Sequence, residues 1–483
     1  MLVDTPLIDA DGQAARIRQL AREHPLKFVI IMADGAHDRV AAPVWRGSGA
    51  LRPAQQAVIP TCYVPAEVIP QFGGETLIAS DSPYADLDGD GAVDLALGRI
   101  PADNGPELAA YLRRVMAYEN APDHSVRRRS LHFVAGLGGF GPIADTVIQQ
   151  VATKFIDDGV PGAYDVTLTH ASPSSRYFPG AEAFHDVALR RLSGGGLAWI
   201  YMGHGHPTQL DSISTPHGPR PIATAQDAAV LACPAESAPL GVFLACYAGA
   251  FDQPDDCLAE RFVLAPGGPI AAVAATRVAM PYGIAAFGDG LLKEMFNRQP
   301  ETLGEMTWRA RRRLMSDDPQ TVAGRRTLDA LAGMLSPSKK TLAEERAEHA
   351  ALFQLFGDPL IRLPRPPSVG LRTAESVRAG ASLAVRVTSP IAGDAIVELA
   401  LPRTLAAMQP PIKDAPPGRR YAAANEIAVA RQFAKVAVGD TLVRLPAPKD
   451  ASGEMIVRAF IQGPNGHALG STRVTVKESA KAR

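Results

Sequence analysis

Cysteine is scarce in this chain: Cys62, Cys233, Cys246 and Cys257 are the four in 483 residues. They are too few and too scattered for a disulfide framework or a paired-cysteine metal site, which leaves open either a disulfide or a single reactive thiol. An excess of one charge is lacking too. The 49 basic and 50 acidic side chains leave a formal charge of −1, so no basic stripe recruits nucleic acid or an anionic membrane, and no acidic block forms a solvating tail. Long apolar runs are missing as well. Segments 27–33 and 270–275 fall far short of the roughly 18 residues that cross a bilayer, so no integral membrane segment is expected. The first ten residues carry two acids and no basic region followed by an apolar one. No signal peptide is visible, and the chain reads as cytoplasmic unless it is the processed form of an exported protein.

What is there is an ordinary globular composition, 46% hydrophobic and 20% charged, which excludes disorder, collagen and coiled coil. Length allows two to four domains at roughly 100–200 residues each. Through about residue 365, short apolar runs alternate with helical stretches, the pattern of a mainly parallel sheet covered by helices. Strands are predicted at 27–33, 95–99, 130–135, 197–202, 241–245 and 270–275. Helices are predicted at 106–118, capped by Asp103 or Asn104, and at 145–155, 285–297, 304–315, 324–335 and 342–353. After the proline-rich stretch 357–367 the period changes to two, in runs at 382–388, 395–401, 441–445, 455–461 and 471–476. The expected organisation is an α/β domain over residues 1–365, followed by a β-sandwich over 366–483.

Two strand ends carry the chemistry. The run 197–202 leads into Gly203-His204-Gly205-His206, and the run 241–245 leads into Cys246-Tyr-Ala-Gly249. Ligands of open parallel sheets bind outside the carboxyl ends of the strands, so His204 and Cys246 lie side by side if their strands are neighbours. A histidine beside a thiol takes its proton or stabilises the thiolate, and the thiolate is the nucleophile. The plain alternative is a small buried cysteine and a hydrogen-bonded loop histidine. His204 and His206 alone make a poor zinc pair, since no third ligand stands at motif spacing.

The ordered set of segments resembles the gingipain-like cysteine peptidases of the caspase-like superfamily. It comprises 84–94 running into Leu97-Gly-Arg-Ile-Pro101, Tyr118-Glu119, Tyr201-Met-Gly-His-Gly205 and Ala245-Cys-Tyr-Ala-Gly249 with Glu260 beyond, then 268–277 and Phe356-Gly-Asp-Pro359. The resemblance spans roughly residues 80 to 363, and the following sandwich is similar to the immunoglobulin-like domain of gingipains. It implies a gingipain-like fold, a protein or peptide substrate, and no cofactor required for catalysis. It implies Cys246 as nucleophile, His204 as general base and acid, and an oxyanion hole made by the backbone N–H groups of Gly205 and Cys246. Arginine-specific gingipains carry a glutamate that orients the histidine in the segment matching 135–139. Here Leu137 stands in its place, so a dyad is expected, with His204 held by another group such as a backbone carbonyl.

The same resemblance sets Asp145 on the acid that reads a basic P1 side chain; an ordinary helix N-cap is the alternative. Segment 276–281 occupies the place of an aromatic lid, so Thr276 and Met280 are expected at the substrate pocket, while Arg277 near it stays open as a charge that would repel a basic P1. Independently of any family, Asp86, Asp88, Asp90 and Asp94 stand at relative positions 1, 3, 5 and 9 with glycine at 6, the first part of a calcium loop. Leu97 at position 12 replaces the bidentate glutamate, so a structural calcium site and a polar aspartate turn both stay open. The function expected is a cysteine endopeptidase with an Arg or Lys preference at P1. A transpeptidase on the same dyad and a catalytically silent peptide-binding module are the alternatives.

Overall fold

The structure, a computed structural model, describes residues 9–35, 58–120, 122–138, 156, 159–298, 300–335, 342–408, 412 and 414–478. Eight strands build the central sheet: β1 (Phe28–Ile31), β2 (Ala96–Arg99), β3 (Ser130–Ala135), β4 (Asp165–His170), β5 (Ala198–Met202), β6 (Leu240–Leu244), β7 (Ala271–Ala275) and β8 (Phe353–Phe356). Their spatial order is β1-β2-β8-β7-β6-β5-β3-β4, and every neighbouring pair is parallel except β7 with β8. The mainly parallel α/β sheet expected from the apolar runs is therefore present. All residues of β6 and β7 are buried, as strands covered on both faces must be.

Helices α1 (Ala10–Glu23), α2 (Gly105–Asn120), α3 (Ala181–Ser193), α4 (Leu258–Leu264), α5 (Pro281–Lys293), α6 (Leu303–Met315), α7 (Pro319–Leu335) and α8 (Leu342–Leu352) accompany it. The α2 start shows how local chemistry sets an end. Asn104 Oδ1 accepts the Glu107 N–H at 3.0 Å, and Glu107 Oε2 accepts the Asp103 N–H at 2.8 Å. Its buried Tyr111 donates to the Ile270 carbonyl at 2.9 Å, fastening the helix to the entry of β7. Trp199 on β5 does the same for α3, donating to the Ala188 carbonyl at 3.2 Å.

Several elements depart from the sequence expectation, helices α1 and α4 among them, which no expected stretch marked. β4 is an edge strand of half-buried, partly polar residues (Asp165-Val-Thr-Leu-Thr-His170), so no apolar run marks it, and α3 was likewise unmarked. Phe353 does not extend α8 but opens β8, where buried Gln354 reaches the Ser80 hydroxyl at 3.2 Å. The helix expected at 145–155 lies outside the described residues.

Beyond residue 366 the chain forms β9 (Gly370–Arg372), β10 (Ser376–Arg378), β11 (Ser382–Ser389), β12 (Gly393–Ala400), β13 (Ala428–Val436), β14 (Gly439–Pro446), β15 (Gly453–Gly463) and β16 (Gly466–Lys477). They make a three-stranded sheet, β9-β11-β14, and a five-stranded one, β10-β16-β15-β12-β13. Strict alternation in β11 puts Leu383, Val385 and Val387 into a core shared with Val397, Leu399, Val457 and Ile461. Helices α9 (Arg403–Met408) and α10 (Pro417–Asn425), between β12 and β13, were not anticipated.

This second layer closes the edge of the first. Asn425 imitates a neighbouring strand on β4, accepting the Leu168 N–H at 2.7 Å and donating to the Leu168 carbonyl at 3.0 Å. Tyr421 meets Thr169 at 3.0 Å, and Arg403 donates to the carbonyls of Val160 and Tyr164 at 2.7 and 2.8 Å. Between the layers, the fully buried Glu398 carboxylate lies 2.9 Å from Arg129, 2.8 Å from Arg458 and 2.6 Å from Arg431. Asp165 completes the network, 2.7 Å from Arg129 and 2.6 Å from Arg458. No helix among the described residues is long and apolar enough to cross a membrane.

Burial by itself would raise the Glu398 carboxyl, but Arg458, Arg129 and Arg431 outweigh it and hold it below the ordinary carboxylate range. Its contribution is therefore complete above the unfolded glutamate value and is lost as pH falls through the folded one. Glu398→Gln leaves two buried guanidinium groups undercompensated and is expected to lower unfolding stability at pH 7 by about 3–5 kcal/mol. Urea denaturation at a series of pH values should show the gap between native and variant narrowing below about pH 4.

Candidate active site

The chain leaves β3 outward to β4, then returns to β5 and proceeds to β6 and β7 on the other side. The carboxyl ends of β3 and β5 thus flank the point where the connections change direction, the place where open parallel sheets hold ligands. Register aligns the three strand ends: Ala135 pairs with Met202, and Met202 with Leu244. His204 and Cys246 each lie two residues beyond the paired Met202 and Leu244, so they leave adjacent strands at one level. Both are half-buried. The neighbouring-strand condition set by the sequence reading is met.

Glycine is required where these turns approach one another. A Cβ on Gly205 would lie 2.6 Å from the Cys246 carbonyl oxygen and 2.9 Å from the Ala245 Cβ. Any side chain there would separate the two loops. After Cys246, Tyr247 takes φ +56°, a left-handed conformation that non-glycine residues seldom adopt and that turns the backbone sharply beyond the thiol. Its N–H donates to the Arg277 carbonyl at 3.2 Å, and its hydroxyl lies 2.9 Å from both Glu75 carboxylate oxygens. Burial and the Glu75 charge push the Tyr247 phenol up, so it stays a donor.

The Cys246 sulfur sits against the loop before α5, 3.3 Å from the Ala279 N–H and 3.6 Å from the Ala279 carbonyl oxygen. Burial pushes the thiol up; the Ala279 N–H opposes this and the Glu75 charge adds to it. A thiol so placed is protonated at rest and needs a base to accept its proton during attack. The supporting loop is itself fixed from below: the Met280 N–H donates to His349 Nε2 at 2.8 Å, and His349 Nδ1 meets the Glu345 carbonyl at 2.7 Å. Burial lowers His349 to about 4, which keeps the ring neutral and able to accept. The other cysteines, Cys62, Cys233 and Cys257, are free and buried. Burial pushes Cys257 well up, so it does not compete as a nucleophile.

Several expected pocket residues stand elsewhere. Thr276 is wholly buried, its hydroxyl donating to the Ala79 carbonyl at 2.7 Å, so it faces the interior and not a substrate. Arg277 is also buried and binds Asp252 through two guanidinium nitrogens at 2.8 and 2.5 Å. Its charge is neutralised there, and the suggested repulsion of a basic P1 has no source. Met280 is half-buried next to Ala279, beside the sulfur. Asp145 lies outside the described residues. In the aspartate loop, Asp86, Asp88 and Asp94 bring one carboxylate oxygen each within 4.8 Å of one another. Asp90 is not of that group and accepts the Ala92 N–H at 2.8 Å. Asp86 also accepts the Gly89 and Gly91 N–H groups at 2.7 and 3.0 Å, as a polar turn does.

Sequence reasoning missed Asp211, whose Oδ2 accepts the Leu137 N–H at 3.1 Å and lies 3.4 Å from the His204 backbone N–H nitrogen. It also missed Tyr201, whose hydroxyl donates to the His204 carbonyl at 2.8 Å. Tyr201 opens the Tyr201-Met-Gly-His-Gly205 segment, but nothing in that segment tells its hydroxyl's role, and Asp211 belongs to no short motif with His204. The only hint of Asp211 is an acid in the loop that follows a candidate base.

Among curated proteins nothing matches this chain. Solved structures do. The crystal structure of the Arg specific cysteine proteinase gingipain R (RgpB) is 16% identical and superposes with a TM-score of 0.50, covering 98% of this chain and 90% of that one. A complex of Porphyromonas gingivalis RgpB pro- and mature domains is 16% identical with a TM-score of 0.49, covering 97% and 90%. At such identity the likeness to gingipain R is one of fold. The model of peptidase family C25 matches residues 9–364, most of the chain. The chain therefore belongs to peptidase family C25 and is a cysteine-type endopeptidase.

Proposed function

We propose that Cys246 and His204 carry the peptidase chemistry as nucleophile and proton carrier. The observation that supports this above all others is their common level on the paired ends of β5 and β6. His204 takes the thiol proton as sulfur bonds to the substrate carbonyl carbon, and the carbonyl oxygen becomes an oxyanion. The N–H groups of Gly205 and Cys246 are the proposed donors to it. Collapse breaks the C–N bond, and the imidazolium gives its proton to the departing amine. Water then attacks the thioester, His204 accepts its proton, and rupture of the C–S bond returns it to sulfur.

The substrate proposed is a protein or peptide with Arg or Lys at P1, read by Asp145 through charge-assisted hydrogen bonds. Gingipain R, similar in fold, is described as Arg specific, and Arg277, the opposing charge the sequence suggested, is paired with Asp252. A fluorogenic library varied at P1 tests both parts. Cys246→Ala is expected to abolish turnover, with a loss of at least about a thousandfold; retained activity would overturn the nucleophile assignment. Asp145→Asn is expected to reduce cleavage after Arg and Lys and leave other P1 residues unaffected. A native profile without basic preference would remove the Asp145 role.

The loop 86–94 is proposed to bind calcium as a structural ion, supported by the convergence of Asp86, Asp88 and Asp94. Three carboxylates with oxygens this close suit a hard cation, although Arg312 already lies 3.0 Å from one Asp94 oxygen. Calorimetry on chelator-treated protein should register heat on calcium addition and a raised melting temperature, both lost in Asp88→Asn. Absence of heat in the native chain would overturn the site.

A further inference from the structure

We infer that Asp211 is the carboxylate that positions His204, standing in space where this chain has no acid at the end of β3. The inference rests on the reading of His204 as the proton carrier. β3 ends at Ala135, and Gly136 and Leu137 follow it toward the site without an ionisable side chain. The Asp211 carboxylate comes to that point from the loop beyond His204, accepting the N–H of Leu137 itself at 3.1 Å. Chain connectivity alone would not suggest the substitution, because the acid arrives from the base's own loop and not from the neighbouring strand.

Asp211 holds His204 from both sides of its backbone. Oδ2 lies 3.4 Å from the His204 nitrogen, while the Asp211 N–H lies 3.2 Å from the His204 carbonyl oxygen. That same oxygen accepts from Tyr201, which is fully buried at the end of β5. Asp211 is fixed from behind by the Ile222 N–H, which donates to its carbonyl at 2.7 Å. Space for the arrangement is reserved by glycine. A Cβ on Gly136 would fall 2.5 Å from Asp211 Oδ2, and one on Gly203 would fall 2.5 Å from the Tyr201 hydroxyl. Though half-buried, Asp211 is fastened to the site at both backbone groups of His204 and at Leu137.

Its negative charge does what a dyad lacks. When His204 takes the thiol proton it becomes a cation, and the Asp211 anion held against the His204 backbone favours that state. Burial raises the Asp211 carboxyl, and the charge of His204 with the N–H groups of His204 and Leu137 pulls it back. The titratable groups about the carboxylate are Tyr201 from β5 and His204 and His206 from the loop; β3 brings backbone.

The test follows the His204 ring by NMR titration, its resonance assigned with His204→Gln, alongside peptide turnover. Asp211→Asn is expected to move the His204 titration to lower pH. It should reduce kcat about tenfold to a hundredfold, with KM within about twofold of native, and Asp211→Glu should restore the greater part. In the native chain the His204 curve should also carry a second inflection from Asp211, a result that needs no variant. A single-inflection native curve, or an unchanged His204 titration in folded Asp211→Asn, overturns the inference. If Cys246→Ala stayed active while Asp211→Asn shifted the titration, the positioning role would stand and the nucleophile assignment alone would fall.

Discussion

Strands covered by helices on both faces have no polar side to exchange for an apolar one. Their alignment is held by side-chain fit and by the ladder that pairs Ala198–Met202 with Leu240–Leu244. A slip of one residue in β5 would turn Trp199 away from α3 and drive Tyr201 out of its buried place below the His204 loop. The relation of thiol to imidazole is thus inherited from a run of apolar residues that touch no substrate. What those residues supply is the common level at which the two side chains leave the sheet.

Around that register the site is tightened by groups whose charges are arranged rather than abundant. Asp252 takes up the charge of Arg277 beside the Cys246 loop, Tyr247 donates to Glu75, and neutral His349 bears the loop on which the sulfur rests. Each is buried or half-buried, and each has its donor or acceptor met. The left-handed Tyr247 sits within this set, where contacts on both its backbone and its hydroxyl over-determine a conformation that would otherwise relax.

The sheet was legible where strands are apolar throughout, as in β6 and β7, because burial on both faces leaves a continuous signature. β4 was invisible for the opposite reason. It lies on an edge, its polar residues are tolerated there, and its missing neighbour is an asparagine side chain more than two hundred residues away. That His204 and Cys246 leave adjacent strand ends could be read because each follows its strand directly. Thr276 and Arg277 were misread because position on a strand end does not say which way a side chain turns. Asp211 left little to read: its carboxylate contacts on Leu137 and His204 are to backbone groups, and backbone hydrogen bonding leaves no residue pattern.

The contact of Asn425 with β4 bears on how the molecule is made. Synthesis runs from the amino end, so every strand of the central sheet has emerged from the ribosome before Asn425 is added. During that interval the Leu168 N–H and carbonyl are open to whatever strand passes, including one from another nascent chain. The sandwich, which touches neither Cys246 nor His204 in any contact described above, thereby acts as the last-made guard of an edge formed long before it.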